Sequence, residues 1–178
     1  MVAARDCDLE ARKILGRRGC CVFSAPIRLV LFAKSYEEAC QRRYGKEGKK
    51  MSCQAWGIVP KVQEVDELLR QNPGFRSRIR EVHPEMCFLY MNRNSPLPDS
   101  KKTEAGQVQR FNLLQPHFGI FVNLAIQARK QLGCARDDIL DAFAALWTAE
   151  RIVRGIASRI PNLPKVDSFG LSMAIVAQ

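Results

Sequence analysis

Between the turn Asn72-Pro-Gly74 and Pro84, the segment Arg76 to His83 is short, tolerant of extended backbone and stopped by a proline. It reads as a strand that leaves the core at His83. Almost every other periodic stretch of the chain reads as helix, and this imbalance is the strongest constraint on the fold. A lone strand leaves its N–H and C=O groups unpaired, so it must pair within the chain, with another chain or with a part that is absent. The apolar terminal piece Leu171 to Val176 is the one other candidate strand.

The helices announce themselves by their ends. Asp8 to Gly16 reads as a helix capped by Asp and stopped by Gly. Ser35 and Glu38 have capping-box spacing and start a helix running to about Tyr44. From Ser52 to Leu69 the apolar positions Trp56, Val59, Val62, Val65, Leu68 and Leu69 recur three and four apart, with Pro60 kinking or splitting the helix. A brief apolar helix, Glu85 to Met91, precedes the Pro- and Asn-containing loop Asn92 to Ser100. Helices follow over about Glu104–Leu114, Gly119–Leu132 and Asp138–Ile156.

A length of 178 residues allows one domain, 1–178, and nothing reaches the roughly 18 apolar residues of a membrane helix. Seven cysteines without a Cys-x-x-Cys pair fit reduced thiols better than a disulfide framework or a zinc site. The N-terminus has no apolar core of a secretory signal, so the expected location is cytoplasmic. The net charge of +10 favours a polyanionic partner such as nucleic acid, because phosphates are neutralised by Lys and Arg with release of counterions. A merely basic, solvated surface is the competing reading.

Nucleotide-binding glycine motifs and a Gly-x-Ser-x-Gly elbow are missing from the sequence, which leaves the carboxylates as the informative groups. Asp137, Asp138 and Asp141 fall in the first turn of one helix, where residues three and four apart converge and hard cations find oxygen ligands. Helix capping and dipole complementation are the alternative. Glu81, near the end of the expected strand, must reach solvent, pair with a cation or bind metal. Lys101, Lys102 and Arg110 match phosphate contacts, as do Arg12 and Lys61 elsewhere, though each also suits a solvated surface.

Several of these motifs occur in series. Arg5-Asp-Cys-Asp-Leu-Glu-Ala-Arg12, Val22-Phe-Ser-Ala-Pro-Ile-Arg28, Pro60-Lys61 with Glu64-Val-Asp-Glu-Leu-Leu69, Glu81-Val-His-Pro-Glu85, Ser100-Lys-Lys-Thr103 with Gly106 and Arg110, and Asp137-Asp138-x-x-Asp141-Ala142 stand in the order seen in the domain of unknown function 429 family, which the chain resembles. The resemblance implies an α/β, RNase H-like fold with a mixed sheet flanked by helices. It also implies a predicted nuclease that hydrolyses phosphodiesters with Mg²⁺ or Mn²⁺. Glu81, Asp138 and Asp141 would then be the catalytic metal ligands and Asp137 a further one. Family members begin with strands whose first bears another acid, and Met1 to Asp6 falls after that point, so the expected domain is helix-rich and N-terminally incomplete. Two-metal hydrolysis holds ions ~3.5–4 Å apart by carboxylates from several elements, so a missing acid would leave the enzyme inactive. Missing strands would also leave the edge near Glu81 uncovered, which implies self-association. The alternative is a non-catalytic nucleic-acid-binding or protein-interaction module whose acids are caps and surface ion pairs.

Overall fold

A computed structural model describes residues 5–178; the part of the Met1–Asp6 reading that concerns residues 1–4 lies outside the described residues. These contain eight α-helices: α1 Asp6–Leu15, α2 Tyr36–Glu47, α3 Cys53–Gly57, α4 Val59–Gln71, α5 Pro84–Met91, α6 Glu104–Phe118, α7 Ile120–Ala128 and α8 Arg136–Val153. Two three-residue strands, β1 Ser158–Ile160 and β2 Ile175–Ala177, form a small antiparallel sheet. Among the described residues no helix is long and apolar enough to cross a membrane.

The expected strand Arg76–His83 does not form. Pro73–Ser77 is a 3-10 turn, and of the segment only Val82 pairs, through one parallel bridge to Val176 with the Val176 N–H donating to the Glu81 carbonyl at 2.8 Å. Arg76, Ser77, Arg78 and Arg80 give the segment no apolar face to bury, so it stays outside the sheet except where it reaches the core. The stretch beside Glu81 is therefore not an edge without a partner. Its partner β2 is buried along its whole length and pairs on its other side with β1, in the register Ser158↔Ala177, Arg159↔Val176, Ile160↔Ile175. In place of the mixed sheet that the family resemblance implies, the described residues form a mostly helical fold with this small two-strand antiparallel sheet.

Local chemistry accounts for most helix ends. α1 begins at Asp6, so Asp8 sits in its first turn rather than at the cap, and Gly16 (φ +52°) stops it. The 3-10 turn Gly16–Cys21 then folds back so closely that a Cβ on Gly19 would lie 2.7 Å from the Arg12 carbonyl oxygen. Ser35 caps α2 by accepting from the Glu38 N–H at 3.2 Å, and the Glu38 carboxylate accepts from the Lys34 N–H. Pro60 splits the long periodic segment. Ile58 separates α3 from α4, and Pro60 occupies the first turn of α4, where its missing N–H leaves no bond unmade.

Three apolar clusters hold the chain. Cys7, Ala11 and Leu15 of α1 pack with Met86, Leu89, Ile160 and Ile175; Cys87 and Phe88 pack with Leu114, Val122, Leu140, Ala144 and Trp147. α5 thus buries opposite faces in two clusters, which explains why its sequence is apolar all round. The third cluster, Val30, Leu31, Ala39, Cys40, Met51, Ala55 and Val59, belongs to the α2–α4 half.

Candidate functional site

A seam of charged side chains runs where the start of α5, the loop before α6, α6 itself and the first turn of α8 meet. Pro84 starts α5 and sets Glu85 in its first turn, facing inward and buried. Arg110 of α6 reaches it with a 2.6 Å hydrogen bond from Nη2, while Nη1 donates to the carbonyls of Gly106 at 2.7 Å and Asp99 at 3.2 Å. Arg110 has no exposed surface, and its guanidinium lies over the Phe88 ring, 5.5 Å from the centroid. Arg18 adds a second cation 3.5 Å from Glu85. Gly106 makes this approach feasible, because a Cβ there would lie 1.9 Å from the Ser100 carbonyl oxygen.

The loop that Gly106 lets pass carries Lys101 and Lys102. Thr103 fastens its end by accepting from the Gly106 N–H at 3.1 Å and donating to the Ser100 carbonyl at 2.8 Å. Lys101 Nζ lies 2.5 Å from Asp141 Oδ2 and 3.8 Å from Asp137 Oδ2, and Lys102 Nζ lies 2.6 Å from Asp137 Oδ2. Asp137 and Asp141 stand four residues apart on one face of α8, so one ammonium serves both.

Their titration differs. Burial would raise the Asp137 carboxyl, but the hydrogen bond from Lys102 and the charges of both lysines outweigh it and hold it below the usual range. Burial wins at Asp141, which is raised despite the Lys101 contact, with the charges of Glu85 and Asp137 pushing the same way. Asp141 Oδ1 is buried with no hydrogen-bond partner. Lys101 is itself raised: burial disfavours its charge, but the hydrogen bond and charge of Asp141, with Asp137 and Glu85, prevail. The pair is asymmetric because the carboxylate is more deeply set than the ammonium.

The other expected site residues lie elsewhere. Glu81 is exposed, and its two oxygens accept from Arg5 at 2.7 Å each; the same guanidinium is bonded to Asp8. Asp138 points back along its own helix, accepting from the Ala135 N–H at 3.0 Å, which is half of a capping box. Arg110, expected on phosphate, is enclosed in the interior and cannot face a polymer. Arg12 donates to the Val22 carbonyl at 2.6 Å, and Lys61 is exposed on α4, in the other half of the molecule. Among the described residues no three His, Cys, Asp or Glu side chains gather in a way that could hold a metal ion. The sequence reading missed Glu85 and Arg18 as members of the site. Pro84-Glu85 ahead of an apolar run places Glu85 in the first turn of a helix, but its burial against Arg110 is set by the packing of α6 and leaves no local signal.

A family model described as "Protein of unknown function (DUF429)" matches residues 2–166, and the chain belongs to that family. Comparison with curated proteins and with solved structures gave no match.

Proposed function

We propose that the chain is a metal-dependent phosphodiesterase acting on nucleic acid, on an RNase H-like framework in which β1, β2 and the Val82 bridge represent the sheet and α8 the acid-bearing C-terminal helix. The observation that carries this reading is the Asp137–Asp141 pair, two carboxylates around one cationic position with one buried oxygen, Asp141 Oδ1, left without a partner. A hard cation needs only one or two protein carboxylates when substrate phosphates supply the rest. Asp137 and Asp141 therefore fit Mg²⁺ or Mn²⁺, whereas Glu81 and Asp138 are fastened away from them. When bound, the ion would supply Lewis-acid polarisation of the phosphodiester and an acidified water.

The chain's own groups supply the rest. Lys101 stands between the two carboxylates, and its flexible stem lets it turn to a substrate phosphate when an ion takes that position. Lys102 is mostly exposed and already faces outward. The buried Arg110–Glu85 pair contacts no substrate; it positions the lysine loop against α8 through the Gly106 and Asp99 carbonyls. Melting the protein with and without Mg²⁺ or Mn²⁺, alongside cleavage of end-labelled oligonucleotides, tests this. The ions should raise the melting temperature and support cleavage, and Asp141→Asn should lose both. A wild-type protein with neither response overturns the reading.

A second reading, a non-catalytic nucleic-acid-binding module, is favoured by the lack of a three-ligand cluster among the described residues and by the lysines that already neutralise Asp137 and Asp141. It is the outcome if nucleic acid binds while divalent ions leave the melt unchanged.

A further inference from the structure

A cleft lined by arginines and aromatic rings lies in the other half of the molecule. Arg28, Leu29 and Phe32 from the 3-10 turn Arg28–Val30 and its exit, Arg42 of α2, Arg70 of α4 and Phe169 from the tail line an open cleft of about 270 Å³. We propose that this cleft is a stacking site for single-stranded nucleic acid, taking an unpaired base against Phe32 and Phe169 and its phosphates on Arg42 and Arg70. The inference rests on the functional reading above only for the class of polymer.

Preorganisation is the first argument. Arg28 is ion-paired to both Asp66 and Asp167, and Arg70 stands 3.7 Å from Asp66, itself buried. These carboxylates aim two guanidinium groups over the Phe169 ring, at 4.5 and 4.7 Å from its centroid. Asp167 also accepts from the N–H groups of Phe169 and Leu171 at 2.8 and 2.9 Å, so the same residue that orients Arg28 fixes the loop presenting the ring. Arg76 donates to the Phe169 carbonyl at 3.3 Å.

Exposure is the second. Leu29, Phe32 and Phe169 leave 52%, 54% and 45% of their surface in water although they line one cleft. An apolar partner alone would be poorly served by a rim of three arginines, and a bare anion would gain nothing from the rings. A planar base joined to phosphate uses both. The chemistry also selects strand state, because duplex bases are stacked inside the helix with their faces unavailable to a protein ring. The three lining arginines are matched by Asp66, Asp167 and Glu38, which leaves no surplus charge, so binding should rest on stacking and depend only weakly on salt.

The test is fluorescence anisotropy in EDTA, where cleavage is prevented, with a labelled oligothymidylate of about ten nucleotides and a blunt-ended hairpin closed by a non-nucleotide linker as probes. The single strand should bind and the hairpin bind much more weakly. Phe32→Ala, exposed enough to leave folding intact by circular dichroism, and Arg70→Gln should each raise the single-strand Kd about tenfold. Equal affinity of wild type and Phe32→Ala, hairpin binding as tight as single-strand binding, or complete displacement by inorganic phosphate would each overturn the proposal. The divalent-ion shift in melting reads the seam, and the difference between wild type and the Phe32→Ala and Arg70→Gln variants reads the cleft, so failure of one is not failure of the other.

Discussion

The charged seam and the arginine-lined cleft set their guanidinium groups at different depths. In the α5–α6–α8 half, Arg110 is wholly enclosed, and Glu85 and Asp137 are nearly so. Across the molecule, Arg28, Arg42 and Arg70 keep about a third of their side chains in water while pairing with carboxylates. Depth, not the number of pairs, divides the charges that hold the fold from those left available to a ligand. A charge cut off from water depends wholly on its partner, whereas a solvated one exchanges partners at little cost.

The largest effect should therefore come from Arg110. Arg110→Met leaves the buried Glu85 with only the longer Arg18 contact, and the expected loss is about 3–5 kcal/mol, read as a fall in urea midpoint. Adding Glu85→Gln should recover much of it, because the uncompensated charge is then gone. Arg42→Ala, which breaks a pair on an open surface, should leave the melting temperature unchanged within error. If Arg110→Met were equally silent, the division by depth would be wrong.

Glycines sharpen the contrast by a change of sign. Gly106→Ala drives a Cβ into the Ser100 backbone, and the strand of loop it displaces carries the seam lysines; a loss of about 1–3 kcal/mol is expected. At Gly45, within α2, an added methyl group would meet nothing within 4 Å, so Gly45→Ala should stabilise by about 0.4–1 kcal/mol. Thermal melts of the two variants side by side decide this.

What could be read from the sequence followed this same division. Helix starts and stops were legible where a single side chain or a glycine sets them, as at Ser35, Pro60 and Gly16, because the signal is local. Family membership was legible from motifs in series. The strand at Arg76–His83 was misread because β-tolerance says nothing about whether a partner lies alongside, and only Val82 meets one. β1 escaped notice since three residues, Ser158–Ile160, carry no period. At the site, Asp137, Asp141, Lys101 and Lys102 were named and do stand together, owing to helical spacing and adjacency in the loop. Glu81 and Glu85 lie four apart in sequence, yet one pairs with Arg5 outside and the other with Arg110 inside. Only the turn at Pro84 decides between them.

Caps offer a smaller comparison of the same kind. Ser35 accepts one hydrogen bond at the start of α2, and Ser35→Ala should cost about 1 kcal/mol. Thr103 accepts from Gly106 and also donates to Ser100, tying the lysine loop to α6, so Thr103→Ala should cost nearer about 2 kcal/mol. Equal costs in chemical denaturation would mean that the loop is held by the Arg110 contacts alone.

The effect that is smallest at neutral pH belongs to the buried thiols and emerges only in alkali. Burial pushes Cys87 up to about 11 and Cys7 up to about 12, from an ordinary value of 9.0, with nearby Thr148 and Arg5 only partly opposing it. Because the folded state keeps protons that the unfolded state gives up, this contribution is fully present below pH 9.0 and is lost as pH rises through the two folded values. Cys87→Ala should lower stability at every pH by leaving a cavity, but it should flatten the decline of the urea midpoint between pH 9 and about 11 relative to wild type. Cys20 and Cys53 are exposed and should react with a maleimide at neutral pH while Cys7 and Cys87 do not, as peptide mass spectrometry would record. Labelling of Cys87 at a rate close to that of Cys53 would show that α5 opens readily, and the more enclosed half of the molecule would then be the looser one.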